Sequence, residues 1–255
     1  MNHPSDEQRW PTRAPGADAP WAWVSQAVGI YRRQAVLATG YGLTFVLGGY
    51  FVLWGLWKAS LMSALPVAIG GFALAGPLFA AGLYAIARAD EEGRKATFRE
   101  VLIPAAASPQ QIAYLGVLMF VAAGLWALTA AGLLITMAEG QARSLEEFSS
   151  FALSTPRGLF MVAVGSILGG LIAGVIFSVS AFSIPLLFDR KADFATAIGT
   201  SVRTVWARPA PMLLWAWVIG LSIAVGGVTL LLGFVVLFPL LGFATWVGYR
   251  DFLKA

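Results

Sequence analysis

Five long stretches of the chain contain no Asp, Glu, Lys or Arg, and this feature constrains the fold most. The stretches are residues 34–57, 59–87, 101–138, 158–188 and 209–249. A helix needs about 20 mostly apolar residues to cross a hydrocarbon core about 30 Å thick, and each stretch exceeds that length. Charged residues make up 12% of the chain, whereas soluble domains have about 25%. These observations predict an all-α, polytopic membrane protein and exclude a water-soluble globule.

The last stretch is too long for one crossing, since a continuous helix of that length would be about 60 Å long. We therefore expect it to turn back, with breaks at Gly226, Gly227 and Gly233, because glycine adopts turn conformations without steric cost. The resulting prediction is six transmembrane helices arranged as three hairpins. The predicted spans are residues 35–57, 61–87, 112–138, 159–187, 211–231 and 233–250.

Basic residues predict the orientation of these spans. With six spans, one side receives all but three of the 17 Lys and Arg residues, the exceptions being Lys58, Arg143 and Arg157. Because positively charged loops stay in the cytoplasm, both termini are expected there. Long apolar helices indicate the bacterial inner membrane, since outer-membrane proteins cross as barrels. Residues 1–20, with four prolines, are expected to form a disordered cytoplasmic tail, and residues 21–255 a single membrane domain.

Several segments between the spans have the pattern of amphipathic or capped helices. Residues 21–33 place an apolar stripe at helical spacing and predict an interfacial helix. The stripe consists of Trp21, Val24, Val28 and Tyr31. A second interfacial helix is expected after Asp193 as N-cap, with Phe194, Ile198, Val202 and Val205 on one side. Capping boxes are predicted at Thr97–Glu100 and at Ser144–Glu147.

Two sets of residues are candidates for contacts with lipids or partners. Arg32, Arg33, Arg203 and Arg208 have the charge to contact anionic lipid head groups, although the positive-inside rule alone also accounts for them. Gly165, Gly169, Gly170 and Gly174 form a small-residue stripe that allows close helix packing. The packing partner is another helix of this chain, a second copy, or another membrane protein.

Helix-breaking residues in the second and sixth spans are the one feature that favours transport. Gly76, Pro77 and Pro239 are positioned to form kinks or to open a pore, and ordinary proline kinks explain them equally well. Pro77 and Pro239 also suggest a repeated unit, because Arg88 and Arg250 each follow by 11 residues and an aromatic residue lies at the seventh step in both.

The ionisable residues argue against catalysis inside the membrane. The chain has no cysteine and a single histidine, His3, so thiolate metal sites and histidine-ligated haem are excluded. No predicted span has an acid or base at its centre, where such groups usually serve function. Ser178, Ser180 and Ser183 lack an activating base and are expected to bond back to their own helix. We therefore expect no enzyme activity, no metal, no cofactor and no nucleic-acid partner.

Several short strings resemble a bacterial family of integral membrane proteins known only as a domain of unknown function. The strings are Tyr41-Gly42-Leu43, Gly76-Pro77-Leu78, residues 185–190, residues 211–216 and residues 239–251. The resemblance extends from about Ala19 to Leu253 and implies a six-helix inner-membrane protein with no established catalytic residue. An automatic label relates some members to cytochrome c oxidase subunit I, but this chain lacks the intramembrane histidines that such a core requires.

Two functions follow as hypotheses. The first is a non-enzymatic scaffold, assembly or interaction factor for an envelope complex, working through membrane lipids and other membrane proteins. The second is a carrier or channel for a neutral or lipid-like molecule. A water-accessible cavity beside Pro77 and Pro239 would favour the carrier, and tight packing there would count against it. An enzyme would be favoured if Asp189 and Arg190 converged on a polar pocket.

Overall fold

The computed structural model describes residues 15–138 and 144–253, and within them the chain forms α-helices and short 3₁₀ helices without a strand. The first helices are α1 (Ala19–Arg33), α2 (Ala35–Lys58), α3 (Leu65–Ala75), α4 (Ala81–Glu91), α5 (Phe98–Leu102) and α6 (Pro109–Ala138). They are followed by α7 (Leu145–Ser154), α8 (Pro156–Ser180), α9 (Ser183–Asp189), α10 (Phe194–Ala207), α11 (Pro209–Val228) and α12 (Phe234–Phe252). Most of the predicted tail over 1–20 lies outside the described residues, but its last two residues belong to α1.

Within residues 15–138 and 144–253, four helical segments are long and apolar enough to cross a membrane. They are Ala35–Lys58, Pro109–Ala138, Pro156–Asp189 and Pro209–Val228. Each coincides with one of the predicted spans. The third segment runs through α8 and α9, which are separated only by Ala181 and Phe182. The all-helical class of the membrane domain is therefore confirmed.

The second predicted span, residues 61–87, is not one continuous helix. A 3₁₀ helix over Gly76–Ala80 separates α3 from α4, and a second one over Met62–Ala64 precedes α3. Proline lacks an amide hydrogen and its ring displaces the preceding turn, so Pro77 accounts for the interruption. Pro239, in contrast, lies inside the continuous helix α12.

The reversal between α11 and α12 falls on leucines, so the predicted breaks at Gly226 and Gly227 are wrong. Both glycines lie within α11, and the left-handed backbone occurs at Leu230 (φ 50°) and Leu231 (φ 71°). The amide of Leu231 donates to Gly226 O and that of Leu230 to Gly227 O, which is the Schellman pattern. Gly226 remains necessary because the Phe234 ring lies 2.2 Å from where a Cβ would be.

Helix α1 packs through a different face from the one that the sequence suggests. Its buried residues include Trp23, Ala27 and Ile30, whereas Trp21 is exposed. The Trp23 ring packs edge-on against Trp215 of α11 and Phe252 of α12. Neighbouring helices cover this face, so α1 belongs to the bundle and is more than an interfacial helix.

The predicted helix caps are confirmed, but the packed face of α10 is shifted. Capping boxes are present at Thr97–Glu100 and Ser144–Glu147, and Asp193 caps α10 by accepting a hydrogen bond from the Thr196 amide. Helix α10 buries Ala197, Ser201, Thr204 and Val205, of which the predicted stripe contained only Val205. The Ser201 hydroxyl donates to Ser178 O and accepts from the Phe182 amide. This side chain thereby satisfies the backbone at the break between α8 and α9.

An aromatic cluster forms the core at one end of the bundle. It consists of Trp23, Tyr84, Phe188, Trp246, Tyr249 and Phe252, all of which are buried. Helices α1, α4, α9 and α12 each contribute to it. The Tyr84 ring packs against Phe188 and Trp246 with centroids 5.9 and 5.7 Å apart, and such contacts add to the stabilisation from burial alone.

Candidate functional site

A large apolar cavity lies between α2, α3, α4, α8, α10, α11 and α12. Its volume is about 990 Å³, at the upper end of the range of about 300–1,000 Å³ for small-molecule sites. The described residues that line it include no Asp, Glu, Lys, Arg or His. An apolar or uncharged molecule therefore matches this cavity, and a charged one does not, because burying an unpaired charge is costly.

Glycines create much of the space in the wall of the cavity. Gly170 and Gly174 of α8 and Gly220 and Gly227 of α11 line it, and no atom lies within 4 Å of an added Cβ at any of them. Protein interiors are normally close-packed, with few voids larger than a water molecule. Helices α8 and α11 therefore each have two positions in the cavity wall at which no side chain fills the space.

The cavity opens sideways, towards the outside of the bundle. Leu171 and Val175 of α8 and Leu213 of α11 line it, yet their side chains are 64%, 65% and 70% exposed. Wall residues on two facing helices are therefore accessible from outside.

The predicted kink residues lie partly at this cavity. Gly76 and Pro77, in the 3₁₀ segment, line the wall. Pro239 is buried in α12 and is not among the lining residues, but its neighbour Phe238 is. The Phe238 ring stacks on Phe45 with centroids 3.8 Å apart. A cavity is thus present beside Pro77, and close packing surrounds Pro239.

The polar side chains in the wall fall into two groups. Ser178 and Thr245 each donate to a carbonyl of their own helix, at 2.8 Å in both cases. Tyr84, Ser180 and Trp215 are 2%, 3% and 2% exposed, and their hydroxyl or indole N–H groups have no hydrogen-bond partner among residues 15–138 and 144–253. The expectation that Ser180 bonds back to its own helix is therefore wrong. Sequence reasoning noted Tyr84 only as a position of the repeat and Trp215 only within a resemblance string, because only the assembled bundle shows that their polar atoms are unpaired.

Next to the aromatic cluster, a network of charges joins the ends of three helices. Both oxygens of Asp189 are occupied: Oδ1 lies 3.5 Å from Arg88 Nη2, and Oδ2 lies 3.0 Å from Arg250 Nη1. The Tyr249 hydroxyl also donates to Oδ2, at 2.7 Å. Arg190 Nε lies 3.5 Å from the same oxygen. Asp189 and Arg190 therefore converge on a packed ion network, and this arrangement differs from the polar pocket that would favour an enzyme.

A second ion pair ties the junction of α1 and α2 to the end of α4. Arg33 Nη2 lies 2.7 Å from Asp90 Oδ2, and Arg33 Nε donates to both carboxylate oxygens. Buried Gln34 donates to Asp90 and to Arg94 O and accepts from the Ala96 amide. The hydrogen bonds from Arg33 lower the pKa of Asp90, against the opposing effect of desolvation.

The four arginines predicted to contact lipid head groups lie in different environments. Arg33 is held by Asp90, whereas Arg203 is exposed and donates to Gly199 O of its own helix. Arg32 and Arg208 are exposed, and no protein partner contacts their guanidinium groups within the described residues. Arg32 and Arg208 are thus accessible to head groups, and Arg33 serves the internal ion pair.

The glycine stripe on α8 divides into two parts. A Cβ at Gly169 would lie 2.7 Å from the Trp126 ring of α6, and one at Gly165 would lie 3.6 Å from Leu133 of the same helix. Gly170 and Gly174 line the cavity instead. The first pair therefore packs within the chain, and the second pair leaves open space.

The comparisons with known proteins concern the central part of the chain. The family model described as "Predicted integral membrane protein (DUF2189)" matches residues 64–189. No curated protein and no solved structure gives a match. The match covers the middle of the range over which the sequence strings show the resemblance. The matched residues 64–189, which include α3 to α9, are thus similar to a family of predicted integral membrane proteins of unknown function.

Proposed function

We propose that this protein is a non-enzymatic, polytopic inner-membrane protein that binds and carries a neutral, lipid-like molecule. The observation that carries the proposal is the apolar cavity of about 990 Å³, lined in part by Gly76 and Pro77 and open to the side. The cavity beside Pro77 supports a carrier of an apolar molecule, whereas the close packing around Pro239 does not add to that support. We therefore favour the carrier over the scaffold hypothesis.

The proposal includes six spans as three hairpins, which contacts at one end of the bundle support. Gln34 bonds to Asp90, and Asp189 pairs with both Arg88 and Arg250. Each contact joins two points of the chain at one end of the bundle. The chain therefore leaves this end and returns to it three times, through residues 35–89, 89–188 and 190–249. Each of these segments includes at least one membrane-length helix, so a return requires a second crossing.

Contacts at the other end support the same arrangement. The Tyr50 hydroxyl, near the end of α2, donates to Leu230 O in the α11–α12 turn at 2.6 Å. Arg157 Nη2, at the start of α8, donates to Thr136 O near the end of α6 at 3.1 Å. We propose that the end with Arg88, Asp189 and Arg250 is cytoplasmic, because most of the basic residues flank it in the chain.

The test is to identify what the full-length protein carries from its own membrane. A tagged protein is purified in mild detergent and analysed by native mass spectrometry and by extraction of its lipids. The variant Gly174→Leu fills the cavity, since open space surrounds that position. The control Gly132→Leu places the same side chain on an exposed glycine of α6 that also has open space but lies outside the cavity wall.

We expect about one lipid-like molecule per wild-type chain, a similar amount in Gly132→Leu, and a clear loss in Gly174→Leu. Equal amounts in all three proteins would contradict the proposal, because surface lipid does not depend on the cavity. A stoichiometric protein partner, with no enriched lipid, would overturn it in favour of the scaffold.

A further inference from the structure

The buried polar groups of the cavity wall that have no partner within the described residues come from three different helices. Tyr84 belongs to α4, Ser180 is the last residue of α8, and Trp215 belongs to α11. All three are nearly inaccessible to solvent, and none of their O–H or N–H groups finds an acceptor within the described part of the chain. Buried tyrosine and tryptophan side chains usually find a hydrogen-bond partner, and each exception in a native structure requires an explanation.

The rings around these groups belong to the buried core at one end of the bundle. Tyr84 packs on Phe188, and Trp215 packs on Trp23. Trp23 in turn contacts Phe252, which contacts Phe182, two residues after Ser180. All of these neighbours lie at the end of the bundle that holds the aromatic cluster and Asp189.

The opposite end of the cavity is apolar. There the wall consists of Gly49 and Leu53 of α2, Leu65 and Ile69 of α3, and Gly227 together with Leu231 after α11. Along α11 the lining residues extend from Pro209 to Gly227, a distance of about 27 Å at the rise of an α-helix. The cavity thus has one end with hydrogen-bond donors and a long apolar remainder.

We propose that Tyr84, Ser180 and Trp215 form the head-group site for an uncharged lipid whose polar end carries carbonyl or hydroxyl oxygens. This inference rests on the proposed function and specifies the class of ligand. The phenol and the indole donate to the oxygens of the lipid, and the serine hydroxyl donates or accepts. The apolar chain extends along α11 towards Gly227. A phosphate or ammonium group is excluded, because no charged side chain among the described residues lines the cavity to balance it.

The experiment measures binding to purified, delipidated full-length protein by titration under native mass spectrometry. The probes are dioctanoylglycerol and decylubiquinone, which present ester and hydroxyl oxygens or quinone carbonyls, and hexadecane, which has no polar end. Phosphatidylglycerol serves as the charged competitor. The variants are Tyr84→Phe, Ser180→Ala and Trp215→Phe. The control is Tyr114→Phe, at an exposed tyrosine of α6 outside the cavity.

We expect each variant at the head-group site to weaken binding of at least one oxygen-bearing probe about tenfold, the effect of one lost hydrogen bond. Hexadecane binding is expected to be unchanged, and phosphatidylglycerol not to compete. If the variants weaken only dioctanoylglycerol binding, the site is built for a glycerolipid. If they weaken only decylubiquinone binding, it is built for a quinone. A purely structural role for Tyr84 would lower the thermal stability of the ligand-free Tyr84→Phe protein. We expect that stability to be retained or raised, since the hydroxyl has no partner to lose.

Two other outcomes separate the two proposals. If all probes bind equally well to wild type and to the three variants, the head-group site is wrong and the carrier proposal stands. If no probe binds to any of the proteins, the carrier proposal itself is overturned. Ser180→Ala and Trp215→Phe keep the test decisive should Tyr84→Phe fail to fold.

Discussion

Tyr84 and Trp246 stack on each other, with ring centroids 5.7 Å apart and planes inclined by 28°. Tyr84 follows Pro77 by seven residues, and Trp246 follows Pro239 by the same number. Arg88 and Arg250, four residues further in each case, both pair with Asp189. The residues that follow Pro77 and Pro239 at the same spacings therefore meet at one end of the bundle.

The carboxylate of Asp189 stabilises this meeting point. In Asp189→Asn, Arg88, Arg190 and Arg250 lose their shared counter-charge, at a position where the Asp189 side chain is only 12% exposed. Removing one partner of a buried ion pair costs about 3–5 kcal/mol, and we expect a loss at the lower end because the arginines remain partly accessible. The measurement is the thermal unfolding midpoint in detergent.

The control for that substitution is Glu92→Gln. Glu92 pairs with Arg94 at 2.7 Å, but both side chains are about half exposed, and such pairs contribute less than about 1 kcal/mol. Equal, small shifts for Asp189→Asn and Glu92→Gln would show that the network around Asp189 does not hold the helices together.

Stability in acid is expected to depend on Asp90. Hydrogen bonds from Arg33 lower its pKa below the ordinary value of 3.8, so the folded protein binds this proton more weakly than the unfolded chain. The contribution to the free energy of unfolding is complete above the unfolded pKa and is lost as the pH falls through the folded one. Wild type should therefore exceed Asp90→Asn in stability at pH 6, and the difference should shrink towards pH 3.

The stability difference between wild type and Asp90→Asn separates the effect of Asp90 from that of the other acidic residues. Glu100, whose pKa is lowered to about 2 by Arg94 and Thr97, titrates in both proteins and cancels. Arg33→Gln should reduce the same difference. A gap between wild type and Asp90→Asn that stays constant from pH 6 to pH 3 would contradict the assignment.

Two glycines of α2 should respond oppositely to alanine. A Cβ at Gly42 would lie 2.1 Å from Val235 O of α12, whereas nothing lies within 4 Å at Gly48. Gly42→Ala forces the two helices apart, and overpacking of this kind costs about 1–3 kcal/mol or more. Gly48→Ala should be neutral or gain up to about 1 kcal/mol, because alanine favours the helix. Similar unfolding midpoints for the two variants would refute this account of α2–α12 packing.

The turn between α11 and α12 contains a strained leucine. Leu230 has φ 50°, a conformation that costs a residue with a Cβ about 1–2 kcal/mol. Leu230→Gly should therefore retain or raise the unfolding midpoint. Leu232→Gly, at another exposed leucine outside the left-handed region, should lower it, because glycine gains entropy in the unfolded chain. A larger loss for Leu230→Gly than for Leu232→Gly would count against strain at this turn.

Short-range features of the fold could be predicted because neighbouring residues determine them. The apolar stretches predicted a membrane protein, and they predicted the four helices of spanning length that the described residues contain. The caps at Asp193, Thr97 and Ser144 followed from side-chain hydrogen bonds that reach only three residues along the chain. The positions of Gly76 and Pro77 likewise marked the interruption between α3 and α4.

The tertiary structure decided which faces pack and where space remains. Helix α1 is apolar on more than one side, so only its neighbours select Trp23, Ala27 and Ile30 for burial. The left-handed turn falls on Leu230 and Leu231, whereas Gly226 lies within α11 and allows the close approach of Phe234. The cavity and its unpaired groups on Tyr84, Ser180 and Trp215 depend on helices far apart in sequence. Composition and periodicity report the environment of a residue along its own helix, whereas a binding site depends on contacts between helices.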